Sequence, residues 1–414
     1  MSNKTRNPYA VVLAGSASLA IAMGVGRFAF TPIMPMMLHD GVLDLHDAGE
    51  LATANYVGYL VGALASMLAP KSLDQTKVVR FTLVATALLT AMMAIPYDVL
   101  WIPLRLLAGV ISAMGFVFTS GWCLAELSGN SHSIGSAIYT GPGAGIAASG
   151  LAVSLMAAMG LGGQSGWVAF AILSSVLSAV IWPIFRPRHR QSDVYSVPAK
   201  NVPKKVSRSE MPLFAVAYGL AGFGYIVTAT YLPVIAKDAI PGSALLSFFW
   251  PLFGLAAVAG SLLAAKVSPS GDARLYLIAS YLVQASGVTV SIVWHSASGL
   301  ALSSVLVGLP FTAISFFAMN EVRRIRSMHH ARYMGLLTAV FAVGQILGPP
   351  IVGQILSRAS SVDEGFAIAL GAASIALAAG AVVYVAMILL YPVRSSKHGP
   401  VRPCMPRNVT RHSW

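Results

Sequence analysis

Two arginines carry the chemistry that can be read first. Arg27 stands in "GVGRFAFTPIMP" (24–35), and every other residue from Tyr9 to Leu38 is uncharged. Arg105 is likewise the one charged residue between Val99 and Leu124. A guanidinium keeps its charge at any physiological pH, and its planar fork matches a carboxylate or phosphate. In a membrane-length apolar run a lone Arg costs roughly 2.5–3.5 kcal/mol on insertion scales. The sequence therefore calls for a purpose or a partner. The purpose would be an organic anion. The partner would be Glu50, three residues into the next apolar run, or helix carbonyls; Arg105 also lies near enough to a run end to snorkel.

The other reactive groups narrow the choice. None of the 14 acidic residues lies near the middle of an apolar run, and Glu50, Glu126 and Glu321 stand near run ends. Glu50 is the candidate for a carboxylate that cycles a proton, with a salt bridge as its alternative. A protonated substrate would offer another route for proton coupling. So few buried acids argue against a dedicated cationic-drug site. Asn55, Tyr56, Tyr59, Gln284 and Gln345 must find polar partners away from lipid, either across helices or on a substrate. Cys123 and Cys404, and the histidines at run ends, match no metal or redox spacing. "GPGAGIAASG" has no preceding strand and no acidic residue at nucleotide-binding distance. Nothing calls for an enzyme, a cofactor or a metal.

The elements that position these residues follow from hydropathy. The 414-residue chain is 56% hydrophobic and 10% charged, far from the quarter charged of soluble domains. Twelve apolar runs are long enough, at about 20 residues, to cross a bilayer. They cover 9–38, 47–69, 78–97, 99–124, 134–159, 166–185, 211–236, 242–265, 273–294, 298–320, 333–357 and 366–392. The first lacks a convincing cleavage site and reads as a retained span. With the N-terminus inside, 23 of 27 lysines and arginines fall on the cytoplasmic face, while Asp40, Asp44, Asp47, Asp98, Asp238, Asp363 and Glu364 collect outside. That is the positive-inside bias, with both termini cytoplasmic. The net charge of +13 thus faces anionic lipid rather than nucleic acid.

A polar, basic stretch divides the chain into an N-terminal unit (1–185), a cytoplasmic linker (186–210), a C-terminal unit (211–392) and a basic tail (393–414). The halves repeat weakly. "GRFAFTPIMP" (26–35) aligns with "GYIVTATYLP" (224–233), "RLLAG" (105–109) with "SVLVG" (304–308), and "TGPGAG" (140–145) with "LGPPIVG" (347–353). Parallel duplication favours an all-α membrane protein with two pseudo-symmetric six-helix bundles, the build of a transporter. Gly141, Pro142 and Gly145, with Gly348 and Pro349, read as points where helices bend and slide.

These features resemble the major facilitator superfamily across all twelve runs. "GVGRFAFTPIMPMML" with "AGELATANYVGYLVGALAS" (48–66) is similar to its YbfB/YjiJ branch. "RLLAG" looks like the superfamily's fourth-helix Arg-x-x-x-Gly element, and "GPGAG" like its fifth-helix Gly-Pro bend. The signature of the loop after the second helix is largely missing from "GALASMLAPKSLDQTKVVR" (62–80). By this resemblance helices one, four, seven and ten line a central cavity, shared by Arg27, Arg105, Phe30 and Tyr225, with Asn55 and Tyr59 on the second helix as further substrate contacts. Glu50, Gly141, Pro142, Gly145, Gly348 and Pro349 would serve gating or coupling. The expected molecule is a monomeric secondary transporter of the bacterial inner membrane. It would move a small organic anion by alternating access, with protons as the candidate co-substrate. The alternative is multidrug or metabolite efflux with structural arginines.

Overall fold

The computed structural model describes residues 7–70, 72–127, 137–186, 209–239, 248–267, 272–326 and 330–393. Nearly all of the expected linker and tail lies outside them. Among the described residues there are twelve long helical units and no strand. They are α1 (Pro8–His39), α2 (Leu45–Leu68), α3 (Gln75–Met92), α4 (Trp101–Glu126), α5 (Thr140–Ala158), α6 (Gly163–Ile181), α7 (Glu210–Ala239), α8 (Phe249–Lys266), α9 (Ala273–Val293), α10 (Ala297–Ile325), α11 (His330–Leu356) and α12 (Val362–Leu390). Polar residues just outside the apolar runs set several starts. Side-chain oxygens of Asn7, Asp44, Asp74, Asp272, Ser296 and Ser361 accept first-turn amides that have no intrahelical partner.

Eleven of these units are long and apolar enough to cross a membrane. The third expected run, 78–97, differs. Its helix ends at Met92, and α3 carries buried Thr82, Thr86 and Thr90, whose hydroxyls donate to carbonyls of Val79, Thr82 and Thr86. The helix also starts three residues before the run, so Gln75 and Lys77 count with Arg80 within its 18 residues and lower its mean hydropathy. The threonine hydroxyls are satisfied on the helix's own backbone. α3 packs against α4 and α6.

The helices pack both within and across the stretches before and after the linker. Before the linker, α2 packs on α4 and α5 on α1. After it, α7 packs on α11 and α12, α8 on α10, and α9 on α10 and α12. The two stretches meet where α2 lies on α11 and α5 on α8. At the α2–α4 contact, a Cβ on Gly58 would collide with the Leu106 carbonyl oxygen, and one on Gly109 with that of Asn55. Only glycine permits so close an approach.

α1 is not uniform. Its central residues, Ala20–Phe28, wind as a π-helix between α-helical Pro8–Leu19 and Phe30–His39. Gly24 there approaches Gly145 of α5 so closely that an added Cβ would lie 2.5 Å from the Gly145 Cα. The expected bend at Gly141-Pro142 is corrected. Pro142 occupies the first turn of α5, where a missing N–H breaks no helix bond. Pro349 and Pro350 do lie inside α11, so the two halves differ at this element.

Candidate functional site

Arg27 ends up on the π-helical stretch, only 3% exposed. π-turns often mark functional sites because they widen the helix and re-aim side chains. In a π register the Arg27 carbonyl would accept from the residue five positions on. That residue is Pro32, which has no N–H. The carbonyl accepts Nη2 of Arg105, at 3.3 Å. The two arginines are thus joined, with one guanidinium on the other's backbone.

The Arg27 guanidinium lies 4.0 Å from the ring centre of Tyr59 and 5.3 Å from those of Tyr56 and Phe28. Desolvated cation–π contacts of this kind contribute about 2 kcal/mol. Its Nη2 donates to Oε1 of Gln345, at 2.5 Å, and Nε2 of Gln345 donates to the Tyr225 hydroxyl. Tyr225 packs against Phe311 and, stacked, against Phe341. Phe311 also meets Phe28 and Phe253, and Phe253 stacks on Trp250. The Tyr56 hydroxyl lies 2.9 Å from that of Thr230. Residues from both sides of the linker therefore converge on one guanidinium.

Arg105 is 2% exposed and stands 4.7 Å over the Phe30 ring, which itself stacks on Trp167. Snorkelling is therefore not its state. Asn55 donates to the Arg105 carbonyl at 3.0 Å, tying α2 to α4. Among the described residues neither arginine has a carboxylate within ion-pair distance, and the Nε of each, with Oδ1 of Asn55, is buried without a hydrogen-bond partner. Glu50 does not supply the pairing the sequence suggested. Its side chain is 53% exposed beside His46, at 3.8 Å. A helix start near the surface cannot bring it to Arg27, whose bond goes to Gln345.

The glycines expected to act in gating are close-contact points. An added Cβ at Gly141 would collide with the Ser16 carbonyl oxygen; at Gly145 it would lie 2.7 Å from that of Ala20, and at Gly348 2.5 Å from an Ile226 methyl. Pro349 borders Gly49 of α2. A cavity of about 370 Å³ lies between α1, α5 and α8, lined by Pro32, Pro35, Met36, Val153 and Trp250. Trp250, which lines it, has its ring centre 6.5 Å from that of Phe28.

Other groupings were not foreseen. Arg274, fully buried, bonds both carboxylate oxygens of Asp272 and the carbonyls of Met387 and Tyr391, with Glu321 at 3.6 Å and Glu210 at 3.8 Å. Arg324 joins Glu210 at 2.8 Å and Glu321 at 2.6 Å. The network binds the ends of α7, α9, α10 and α12. Its local parts, Asp272 two before Arg274 and Glu321 three before Arg324, were the signals available in the sequence. Elsewhere Asp44, His46 and Asp47 bring ligand atoms within 4.8 Å, all exposed, but the two carboxylates already form the capping box of α2.

A buried guanidinium, aromatic walls and helices from both sides of the linker thus meet at one point. The fold agrees with the crystal structure of a mutant of the nucleoside transporter NupG, at TM-score 0.71 and 14% identity over 91% of this chain and 99% of that one. No curated protein matches the sequence. The family described as uncharacterised MFS-type transporter YbfB matches residues 19–383. Its members are transporters rather than enzymes, and multi-pass membrane proteins; this chain belongs to that family.

Proposed function

We propose that this transporter moves a small organic anion, an aromatic or amphipathic carboxylate, and that Arg27 is its anion ligand. One observation carries the reading. Arg27 is a buried cation with only neutral partners and an unpartnered Nε. A buried charge left without a counter-charge costs several kcal/mol, and a carboxylate arriving between the groups supplies the missing one. Tyr59, Tyr225, Phe311 and Phe341 would flank its apolar body, with Arg105 holding the backbone beneath Arg27 and Phe30 and Asn55 fixing Arg105. The helical groups 1–185 and 211–392 would rock as two six-helix bundles, all twelve helices crossing an inner membrane, linker and tail in the cytoplasm. A monomer suffices for this scheme. With Glu50 at the surface, protons would travel on the substrate.

A second reading is a neutral nucleoside, the cargo for which the structural neighbour is named. The amide of Gln345 beside the Tyr225–Phe341 stack favours it.

A thermal-shift comparison of wild type, Arg27→Ala and Arg27→Lys tests both. The probes are a panel of aliphatic and aromatic monocarboxylates including benzoate, inosine, and tetraphenylphosphonium. Binding at a hundredfold excess over Kd stabilises the fold by about 2.7 kcal/mol. Carboxylates are expected to raise Tm in wild type, weakly in Arg27→Lys and not in Arg27→Ala. A shift by inosine that survives Arg27→Ala selects the nucleoside. A shift by tetraphenylphosphonium alike in all three proteins makes the arginines structural and the carrier an efflux pump.

A further inference from the structure

We infer that Gln345 is a built-in placeholder for the substrate's carboxylate, and that its displacement is what couples binding to the contact between the two halves. The inference rests on the anion reading of Arg27 given above and goes on to name the residue that a substrate must displace.

Gln345 is 1% exposed, and its two amide atoms are committed in opposite directions. Oε1 accepts from Arg27 on α1, 318 residues away, and Nε2 donates to Tyr225 on α7. α7 and α11 pack directly on one another. The Tyr225 bond therefore stays within the second half, and the Arg27 bond crosses to the first. The amide oxygen sits where one carboxylate oxygen would accept from the guanidinium, but without charge. The bond from Arg27 to Gln345 already has a charged donor. A carboxylate adds the opposite charge, whose attraction is strong where water is excluded and which compensates the buried guanidinium. An incoming carboxylate therefore displaces Oε1, while Nε2 keeps Gln345 anchored on Tyr225.

The exchange has a mechanical consequence. A second polar link between the halves near Arg27 is Tyr56 to Thr230, and the Tyr56 ring itself lies 5.3 Å from the guanidinium. Substrate on Arg27 removes one link outright and crowds the ring that carries the other. In the empty protein the same guanidinium holds the halves together. A neutral amide is the side chain suited to this task. A glutamate at 345 would form a permanent ion pair that no substrate carboxylate outcompetes. An apolar residue would remove this link and leave Tyr56 to Thr230 as the polar link described near Arg27.

The test uses the full chain with Gln345→Met and Gln345→Glu, both close to glutamine in volume, so that either one folding suffices. Affinities for the monocarboxylate panel are measured by titration in detergent, beside the thermal stability of the empty proteins. Gln345→Met lacks the competing oxygen and is expected to bind the carboxylates about tenfold more tightly while melting lower when empty, as loss of one hydrogen bond to a charged group implies. Gln345→Glu is expected to melt higher when empty and to lose carboxylate binding at least tenfold. A structural role alone would lower stability and affinity together. If wild type shows Arg27-dependent carboxylate binding but Gln345→Met binds no tighter, or Gln345→Glu binds as wild type, the placeholder falls and the anion transporter stands. If no carboxylate binds wild type, both fall.

Discussion

Arg27 and Arg274 are both buried arginines, and their surroundings separate a waiting charge from a settled one. Arg274 is met by Asp272, Glu210 and Glu321 and by two carbonyls. Arg27 meets one neutral amide and three rings. Removing a partner should therefore be most costly around Arg274, where it strands buried opposite charges. Glu321→Ala, deleting a carboxylate that is 1% exposed and serves both Arg274 and Arg324, is expected to destabilise the folded protein by about 3–5 kcal/mol. Unfolding of the detergent-solubilised variant measures it, and a loss below about 1 kcal/mol would mean the network is incidental. Asp272 gives a pH signature. Burial acts to raise its carboxyl, but the side-chain and backbone hydrogen bonds of Arg274 and the charges of Arg274 and Arg324 outweigh it and hold the pKa below the ordinary value. A depressed folded pKa contributes stability that is complete above the unfolded value and lost as pH falls through the folded one. The melting advantage of wild type over Asp272→Asn is thus expected to be constant from about pH 5 upward and to shrink below about pH 4.

At the scale of elements, the π-helical centre of α1 presents Arg27 and depends on small residues. Gly24 and Gly145 let α1 and α5 approach until backbone nearly meets backbone. Gly24→Val is expected to cost about 1–3 kcal/mol by overpacking and to weaken carboxylate binding, because the displaced π-segment re-aims Arg27. Gly160→Val, in a turn at φ +71° with open space around it, is the control: strained locally, it should leave affinity unchanged. Equal loss of affinity in both would mean that general instability, not the aim of Arg27, sets binding.

Taking the whole molecule, α2–α11 and α5–α8 are the contacts that any rocking of one half against the other must change. At the end of α2, the Met67 side chain presses on Gly335 of α11. Cysteines at 67 and 335, in a chain with Cys404 replaced and Cys123 kept in its buried position, are expected to crosslink under oxidation. Uptake into proteoliposomes should then stop and return on reduction. Full uptake by the crosslinked protein would show that this pair of helices does not part during transport.

The sequence by itself determined the membrane setting, the family and the helical inventory, because hydropathy and charge sidedness are sums over stretches of about 20 residues and need no partners. Arg27 and Arg105 were legible for the same reason: a charge in an uncharged run shows without a fold. The third helix departs from that logic because it carries Gln75, Lys77 and Arg80 in its first turns and ends at Met92, so its whole length averages less apolar than the run 78–97. Which group each arginine meets was decided by tertiary structure alone. Glu50, the near candidate in sequence, stands at the surface, while Gln345 arrives from 318 residues away. Nor could the sequence show that the Arg105 guanidinium donates to the Arg27 carbonyl. For Arg27 partner choice is a long-range property, set by which helices meet, and no local pattern encodes it.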